Sequence, residues 1–265
     1  MNLRRAIFIT GGASGIGLAS AKHFAKHGWL VGLADIDAAG LARAVAEIGS
    51  DNAAAYVLDV RDREAWPRAL EAFTHASGGR LDVLVNNAGV ASYGYLEEVS
   101  PAEEDRIVDI NLKGVLNGAR AGIEFLKKTP GSRLINIASC AGLYGSPKIA
   151  AYSATKFAVK GLSEALDIEF ARHGVGVKCV MPWFVDTPIL NSGSQGSNVN
   201  MADSLKSEGH PVYPVEDAAE VVWQAAHGKA LHYVVGKRAA ELRFASRFMP
   251  GAVRKQLMKS ALLSS

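Results

Sequence analysis

The chain has 265 residues, of which 49% are apolar, and its net charge is +3. This length suits one sizeable core. No apolar run reaches the roughly 20 residues that span a bilayer, and two cysteines are too few for a disulfide framework or a zinc site. The basic start is followed only by the short apolar run 6–9, so we expect no export signal and predict a cytoplasmic protein.

Short apolar runs alternate with helical patterns along the chain, which predicts an α/β fold with a doubly wound, Rossmann-like parallel sheet and helices on both faces. Several runs are apolar throughout, as expected for strands that are covered on both sides. We place a single catalytic and dinucleotide-binding domain at 1–236. The predicted strands are Ala6–Thr10, Leu30–Ala34, Ala54–Leu58, Val83–Val85, Arg133–Ala138, Val175–Met181 and Tyr233–Val235.

A glycine-rich turn, Thr10–Gly17, follows the first predicted strand and leads into a predicted helix over 18–27. Glycines allow a tight turn and let backbone amides approach an anion closely. The helix that follows offers free N–H groups and a favourable dipole to a pyrophosphate. Glycine strings are also common in ordinary turns, so the strand–turn–helix context carries this interpretation.

Asp35 ends the second strand, 18 positions after Gly17. A carboxylate near that distance accepts hydrogen bonds from the adenosine ribose in dinucleotide sites. It would repel a 2′-phosphate, and neither Ser14 nor Ile36 supplies a compensating positive charge, so we predict NAD rather than NADP. The alternative is an aspartate in a turn at the strand end.

The sequence Ser100–Glu103 combines a helix N-cap, a proline in the first turn and a capping-box glutamate. It predicts a long helix over 101–128, and a second long helix is predicted over 148–173.

Tyr152 and Lys156 are four residues apart, so on a helix they lie on the same face. A free phenol has a pKa of roughly 10, which a neighbouring cation lowers. One lysine rarely shifts it to neutrality, but a second positive group in a dry pocket, such as an oxidised nicotinamide, would help. The pair therefore points to redox chemistry of alcohols or carbonyls. The alternative is an aromatic ring that rests against a lysine stem.

Two segments near the C-terminus differ from the rest. The stretch 191–211 is rich in Ser, Gly and Asn, and we predict a substrate loop over about 188–212. Residues 237–265 form a predicted basic amphipathic helical extension with a net charge of +6, which leaves −3 for the remaining chain. Such a helix can lie on an anionic membrane, but packing on this domain, over the active site or on a neighbouring subunit is the favoured interpretation. The acidic main body gives no indication of nucleic-acid binding.

With these residues in view, the chain resembles the short-chain dehydrogenase/reductase family. The resemblance covers about 4–190 and continues weakly to about 236. The matching motifs, in the family's order, are Thr10–Gly17, Asp59-Val60, Asn86–Gly89, Asn111, Ser139 and Tyr152 with Lys156.

The resemblance implies a catalytic set. Tyr152 is expected to be the general acid/base, Lys156 to lower its pKa and hold the nicotinamide ribose, and Ser139 to orient the substrate oxygen. Asn111 is expected to bind a water that links Lys156 to solvent; the alternative is an exposed polar residue on a helix.

The resemblance also implies cofactor contacts. Asp59 and Val60 would contact the adenine, and Asn87 would support the sheet. The backbone near Ala88 would lie close to the adenosine. The predicted cofactor-binding residues are Gly11, Ser14, Gly15, Ile16, Gly17, Asp35, Asp59, Val60, Asn87, Ala88, Gly89, Tyr152, Lys156, Pro182, Val185 and Thr187. Trp183 departs from the family pattern, in which a glycine commonly follows this proline.

These residues predict an NAD-dependent oxidoreductase that interconverts an apolar secondary alcohol, cyclic and aromatic ones included, and its ketone without a metal. The candidate substrate contacts are Ser139, Tyr93, Tyr144 and Trp183, with Ser92, Tyr95, Leu143 and Phe184 as further candidate walls. The resemblance implies a homodimer or homotetramer that is built through the two long helices. An NADPH-preferring carbonyl reductase and a non-catalytic dinucleotide-binding module are the alternatives.

Overall fold

The computed structural model describes residues 4–191, 205 and 209–263. Its sheet has seven parallel strands in the order β3-β2-β1-β4-β5-β6-β7. The strands are β1 (Ala6–Thr10), β2 (Leu30–Asp35), β3 (Ala53–Val57), β4 (Val83–Asn86), β5 (Arg133–Ile137), β6 (Gly176–Pro182) and β7 (His232–Val235). The predicted doubly wound fold is confirmed, and each predicted strand end lies within one residue of the observed end.

Helices cover both faces of the sheet. They are α1 (Gly15–Lys26), α2 (Ala38–Ile48), α3 (Ala65–Ala76), α4 (Pro101–Val108), α5 (Gly114–Leu126), α6 (Ala150–Ala171), α7 (Val215–His227), α8 (Lys237–Phe248) and α9 (Pro250–Leu263). One apolar layer joins the sheet to α1, α2 and α7, and the other joins it to α3, α5 and α6. Strand order reverses between β1 and β4, the place where such sheets open a crevice for ligands.

The helix predicted over 101–128 is interrupted. A π-helical turn, Asp109–Lys113, separates α4 from α5, and this turn carries the fully buried Asn111. The alternative of an exposed polar residue at Asn111 is therefore wrong. Single π-helical turns insert one extra residue and often occur at functional sites.

The N-terminal cap of α4 forms only in part as the sequence predicts. The side chain of Ser100 accepts a hydrogen bond from the Glu103 amide at 3.3 Å. The carboxylate of Glu103 turns away and binds Arg106 at 2.6 and 2.8 Å. The ion pair thus replaces the reciprocal half of the capping box.

Exposed apolar side chains occur on the helices that we expect to mediate assembly. They are Leu116, Phe157 and Ile168. The dimer or tetramer stays a prediction. Within the described residues, no helix is long and apolar enough to cross a bilayer.

Gly32 on β2 shows how tightly the sheet packs against α3. A methyl group at this position would lie 2.6 Å from the Phe8 ring and 2.7 Å from the Phe73 ring. We expect Gly32→Ala to lower the free energy of unfolding by about 1–3 kcal/mol, because overpacking forces buried side chains to shift.

The matched control is Gly161→Ala on α6, where a methyl group meets nothing within 4 Å. It should be neutral or stabilise by up to about 1 kcal/mol, because alanine favours a helix over glycine. Urea unfolding at one protein concentration measures both variants. Equal effects would contradict the packing argument.

Candidate active site

A large cleft lies at the carboxyl ends of the strands. Its volume is about 730 Å³, and its lining runs from the glycine-rich turn after β1 to the segment after β6. Because all strands are parallel, their carboxyl ends lie at the same edge of the sheet, beyond the last hydrogen bonds between strands. Of the predicted cofactor-binding residues, only Gly17 is absent from the cleft lining.

The turn before α1 is shaped by glycines. Gly11 and Gly15 have φ angles of +65° and +53°, in the left-handed region that favours glycine. A methyl group at Gly11 would lie 2.8 Å from the Asn87 side chain, and one at Gly17 would overlap the Gly11 carbonyl. Gly17 therefore serves close packing of α1 on the turn, while Gly11 and Gly15 border the cleft.

The N-terminus of α1 opens into this cleft. Ser14 is its N-cap residue, and the Ser14 side chain makes no capping hydrogen bond. The first amides of α1 lack partners within the helix by its geometry. Together with the helix dipole, they form a site that fits a pyrophosphate.

The Asp35 carboxylate lies beside this turn. It accepts hydrogen bonds from the amides of Ala13 and Asp37, both at 3.1 Å. These bonds fix its orientation at the end of β2, and each oxygen retains a lone pair for a further donor. The placement suits a ribose diol.

Asp59 lies farther along the same wall. Its carboxylate binds Arg61 at 2.6 Å, and hydrogen bonds from that side chain hold the pKa of the aspartate below its usual value. Arg61 was not predicted from the sequence, but it also lines the cleft.

Asn87 joins β1 to β4 where the two strands diverge. Its side-chain amide donates to the Thr10 carbonyl at 2.8 Å and to the Gly11 carbonyl at 3.2 Å. The Thr10 hydroxyl in turn accepts from the amides of Asn87 and Ala88. Asn87 therefore supports the sheet at the cleft, and Thr10 is a partner that sequence reasoning missed.

Asn111 lies behind the cleft wall rather than on it. Its side chain accepts from the Val90 amide and donates to the Val90 carbonyl, both at 2.8 Å, and it reaches the Thr155 hydroxyl at 3.4 Å. A methyl group at Gly89 would lie 3.3 Å from Asn111 Oδ1 and 3.7 Å from Lys156 Nζ. The structure thus gives the Asn111 side chain a positioning role, and its water relay stays a prediction.

Ser139, Tyr152 and Lys156 meet at the middle of the cleft. Ser139 follows β5 in an extended conformation, and its hydroxyl lies close enough to the Tyr152 phenol to favour the ionised form of that phenol. Tyr152 and Lys156 lie one turn apart on α6, with Lys156 Nζ 5.3 Å from the centre of the tyrosine ring. The ammonium donates to the Ile137 carbonyl at 3.0 Å. The structure therefore brings the three predicted groups together.

Burial shifts the two pKa values in opposite directions. It raises the pKa of Tyr152 to about 12, against the opposing hydrogen bond from Ser139. It lowers the pKa of Lys156 to about 8. The expected lowering of the Tyr152 pKa is therefore absent from the protein alone, because loss of water outweighs a cation that lies beside the ring.

Cys140 also lines the cleft, next to Ser139. Burial raises the pKa of its thiol to about 12. A thiol that stays protonated is a poor nucleophile. Both cysteines are free and buried.

The far end of the cleft is aromatic. Tyr144, Trp183, Phe184 and His210 line it, and the Trp183 and Phe184 ring centroids are 5.3 Å apart. The indole thus forms part of the wall. Nearby, Pro182, Val185 and Thr187 also face the cleft, and the Thr187 hydroxyl donates to the Val185 carbonyl at 3.2 Å.

The predicted substrate contact Tyr93 does not line the cleft. Its ring packs against the cluster around Leu190 and Leu205. Lys148 Nζ lies 5.6 Å from the ring centre of Tyr93 and 5.3 Å from that of Tyr95. Lys148 is thus half-buried against aromatic rings rather than a free surface residue. Of the other candidate walls, Ser92, Tyr95 and Leu143 also lie outside the lining.

The C-terminal helices close one side of the cleft, which the sequence offered only as one alternative. Ala239 on α8 and Val253 on α9 are buried. The cleft residues from these helices are Arg238, Glu241, Leu242, Ala245, Val253, Gln256 and Leu257. Most of the predicted loop over 188–212 lies outside the described residues.

Within the described part of the chain, no group of three or more His, Cys, Asp or Glu side chains is placed to hold a metal ion.

The comparisons with known proteins identify the family. A family model described as short chain dehydrogenase matches residues 5–198. The chain belongs to this family. It is accordingly an oxidoreductase.

The chain is 36% identical over 187 residues to a cyclopentanol dehydrogenase of Comamonas sp. (strain NCIMB 9872), covering 70% of this chain and 74% of that protein. It is 39% identical over 185 residues to a 3-alpha-(or 20-beta)-hydroxysteroid dehydrogenase of Mycobacterium tuberculosis (strain ATCC 25618 / H37Rv), covering 69% and 70%. A solved short-chain dehydrogenase/reductase from Burkholderia phymatum in complex with NAD superposes with a TM-score of 0.83 at 25% identity, over 96% of this chain and 95% of that one.

The residues of the cleft fit a nicotinamide dinucleotide. Gly11 and Gly15 have positive φ angles, and a methyl group at Gly11 would lie 2.8 Å from the Asn87 side chain. The first amides of α1 have no side-chain cap, and Asp35 lines the same cleft. The Lys156 ammonium faces the same cleft from the centre.

The Lys156 pKa gives a stability prediction. The folded pKa of about 8 is below the usual lysine pKa of 10.5, so between these pH values the unfolded chain binds more protons. Stability from this group therefore rises with pH across that window. We expect the wild type to gain about 3 kcal/mol over Lys156→Met between pH 8 and 10.5.

Denaturant unfolding of both proteins at several pH values measures this difference. Lys26→Met, on the exposed end of α1, controls for loss of one ammonium. A difference between wild type and Lys156→Met that does not change with pH would contradict the burial of a charged Lys156.

Proposed function

We propose that this enzyme interconverts an apolar, cyclic or aromatic secondary alcohol and its ketone, with NAD as cofactor and Tyr152 as general acid/base. The observation that carries the proposal is the convergence of the Tyr152 phenol, the Ser139 hydroxyl and the Lys156 ammonium in the middle of the cleft.

The residues divide the work between them. Ser139 and Tyr152 line the same cleft, so one substrate oxygen placed between their hydroxyl groups is within reach of a donor and an acceptor. In carbonyl reduction Tyr152 donates its proton to that oxygen, and in alcohol oxidation it accepts the hydroxyl proton. The bound nicotinamide supplies the hydride acceptor or donor and, when oxidised, a positive charge near the phenol.

Lys156 has its place in this scheme because of its burial. Its Nζ is held by the Ile137 carbonyl at 3.0 Å, beside the Tyr152 ring. A positive charge fixed in a dry site acts more strongly on a neighbouring phenol than it would in water. It favours the phenolate that alcohol oxidation requires, and it offers donors to a ribose diol.

The wall chemistry supports the substrate class. Tyr144, Trp183 and Phe184 give the far end of the cleft flat apolar surfaces. Apolar linings are common in small-molecule sites, but two matched relatives are named for cyclic alcohols, cyclopentanol and a hydroxysteroid. Trp183 is large enough to face a ring, so we assign it to substrate selection.

Asp35 supports NAD over NADP. The carboxylate is anchored by the amides of Ala13 and Asp37 and faces the cleft. A 2′-phosphate at the ribose would approach this negative charge, and an anchored carboxylate cannot easily move away. Direct comparison of the two cofactors also tests the alternative of an NADPH-preferring reductase.

Replacement of Tyr152 tests the chemistry. We expect Tyr152→Phe to lower kcat by about 10²–10⁴-fold or more, the usual contribution of a positioned proton donor. NADH affinity, read from protein fluorescence quenching, should stay within about threefold, because the ring is retained.

Tyr144→Phe is the matched control, since it removes another phenol from the same cleft. It should retain most turnover. Wild-type-like turnover in Tyr152→Phe would refute the assignment, and a wild type that binds NADH but turns over no secondary alcohol or ketone would favour the non-catalytic alternative.

Replacement of Asp35 tests the cofactor choice. Asp35→Asn removes the charge but keeps an acceptor, so we expect the ratio of kcat/KM for NAD over NADP to fall by about tenfold or more. Asp37→Asn removes the same charge two residues away, outside the cleft lining, and should change the ratio little. An unchanged ratio in Asp35→Asn would contradict the ribose role.

A further inference from the structure

The helices α8 and α9 have two different faces. Their inner face, with Leu242, Val253 and Leu257, lines the catalytic cleft. Other side chains of these two helices are exposed. They include large apolar residues, namely Phe244 at 58% exposure, Phe248 at 63%, Met249 at 50% and Met258 at 45%.

The exposed apolar residues alternate with exposed basic ones. Arg243, Arg247, Arg254, Lys255 and Lys259 are all exposed. We call these five cations and the four apolar side chains above the tail surface. Phe244 and Phe248 are one turn apart with ring centroids at 4.8 Å, and the Arg247 guanidinium lies 5.9 Å from the centre of the Phe248 ring.

The charge of the tail surface has one sign. Glu241 is the only acidic residue from 237 to the C-terminus, and it is paired with Arg238 at 2.9 Å. The five cations of the tail surface are therefore not offset by acidic residues of their own segment, in a chain whose remaining part is net negative.

We propose that the tail surface docks on an anionic lipid bilayer. Aromatic and methionine side chains enter the boundary between headgroups and acyl chains, while arginine and lysine bind anionic headgroups. Within the described residues no helix can cross the bilayer, so the helices lie on its surface.

A second copy of the chain fits this surface less well. A two-fold contact would place the same patch on both sides of the interface. If that contact set the tail surface against itself, five cations of one copy would lie near five of the other, at a cost in Coulomb energy that a bilayer of opposite charge does not impose.

Docking would bring the lipid next to the cleft, because the same two helices form the cleft wall. The alcohol or ketone would then be one that partitions into lipid. This consequence for the substrate rests on the proposed function, whereas the docking itself does not.

Co-sedimentation of the full chain with vesicles tests docking without any turnover. We expect binding to vesicles of phosphatidylcholine with 30% phosphatidylglycerol, little binding to phosphatidylcholine alone, and loss of binding in about 0.5 M NaCl, where charges are screened within about 4 Å. No binding of the wild type to the anionic vesicles would overturn the proposal.

Two sets of substitutions locate the contact. Arg243→Gln, Arg247→Gln and Lys255→Gln together should lower the partition coefficient about 100-fold. Phe244→Ser with Phe248→Ser should lower it about tenfold or more, because less apolar area enters the lipid. None of these side chains lines the cleft.

The matched control is Lys26→Gln, Arg68→Gln and Lys128→Gln, three exposed cations elsewhere on the molecule. It should bind like the wild type. Equal vesicle binding by the tail variants and this control would overturn the proposal. It would also be overturned if a tail variant changed the oligomeric mass in ultracentrifugation while the wild type did not bind vesicles. The salt series uses only the wild type, so it tests the proposal even if a variant does not fold.

Discussion

Withdrawal of one phenol and one ammonium from water is the constraint on which the cleft depends. Lys156 is only 5% exposed. Burial opposes charge on both groups, so the phenol keeps its proton and the ammonium loses its proton more readily than it would in water. In the protein alone, Tyr152 is therefore a neutral phenol beside the ammonium of Lys156. Formation of the phenolate needs further positive charge in the cleft. In the proposed function, an oxidised nicotinamide would supply that charge.

Polar groups at the strand ends hold the pair in place. Asn86 donates to Asn136 at 2.9 Å, and Asn136 donates to Ser163 on α6 at 3.0 Å. This chain of buried bonds runs from β4 through β5 to the helix that carries Tyr152 and Lys156. All three side chains are buried, and each takes part in at least one of these bonds, although Asn86 Oδ1 has no hydrogen-bond partner. Bonded polar groups in a core favour one arrangement of the elements that carry them.

The fold was readable from the sequence because its signals are local. Strands of continuous apolar residues, a glycine turn and the i, i+4 spacing of Tyr152 and Lys156 each reflect the chain's immediate neighbours. The strand ends were predicted within one residue for the same reason. The cofactor side of the cleft follows from the order of these local elements, because parallel strands bring all their carboxyl ends to one edge.

What the sequence did not reveal depends on contacts between distant parts of the chain. The π-helical turn carries Asn111, whose side-chain amide hydrogen-bonds the backbone of Val90, 21 residues away. No pattern in 101–128 indicates this turn. The direction of the Tyr152 pKa was wrong for the protein alone because spacing shows the cation but not the loss of water. Tyr93 was misplaced because the loop that follows β4 packs against the segment before α6, a pairing that no periodicity encodes.

The C-terminal helices α8 and α9 show the same limit of prediction from sequence. Its mixture of basic and apolar residues was visible in the sequence, but only packing sorts them into Leu242 and Leu257 inside and Phe244 and Phe248 outside. A helix whose apolar residues all faced the core would be fully explained by the fold. Here the fold accounts for one half of them, and the exposed half lies among uncompensated cations. The exposed apolar residues lie among cations of one sign, and this is the arrangement that the proposed anionic surface would complement.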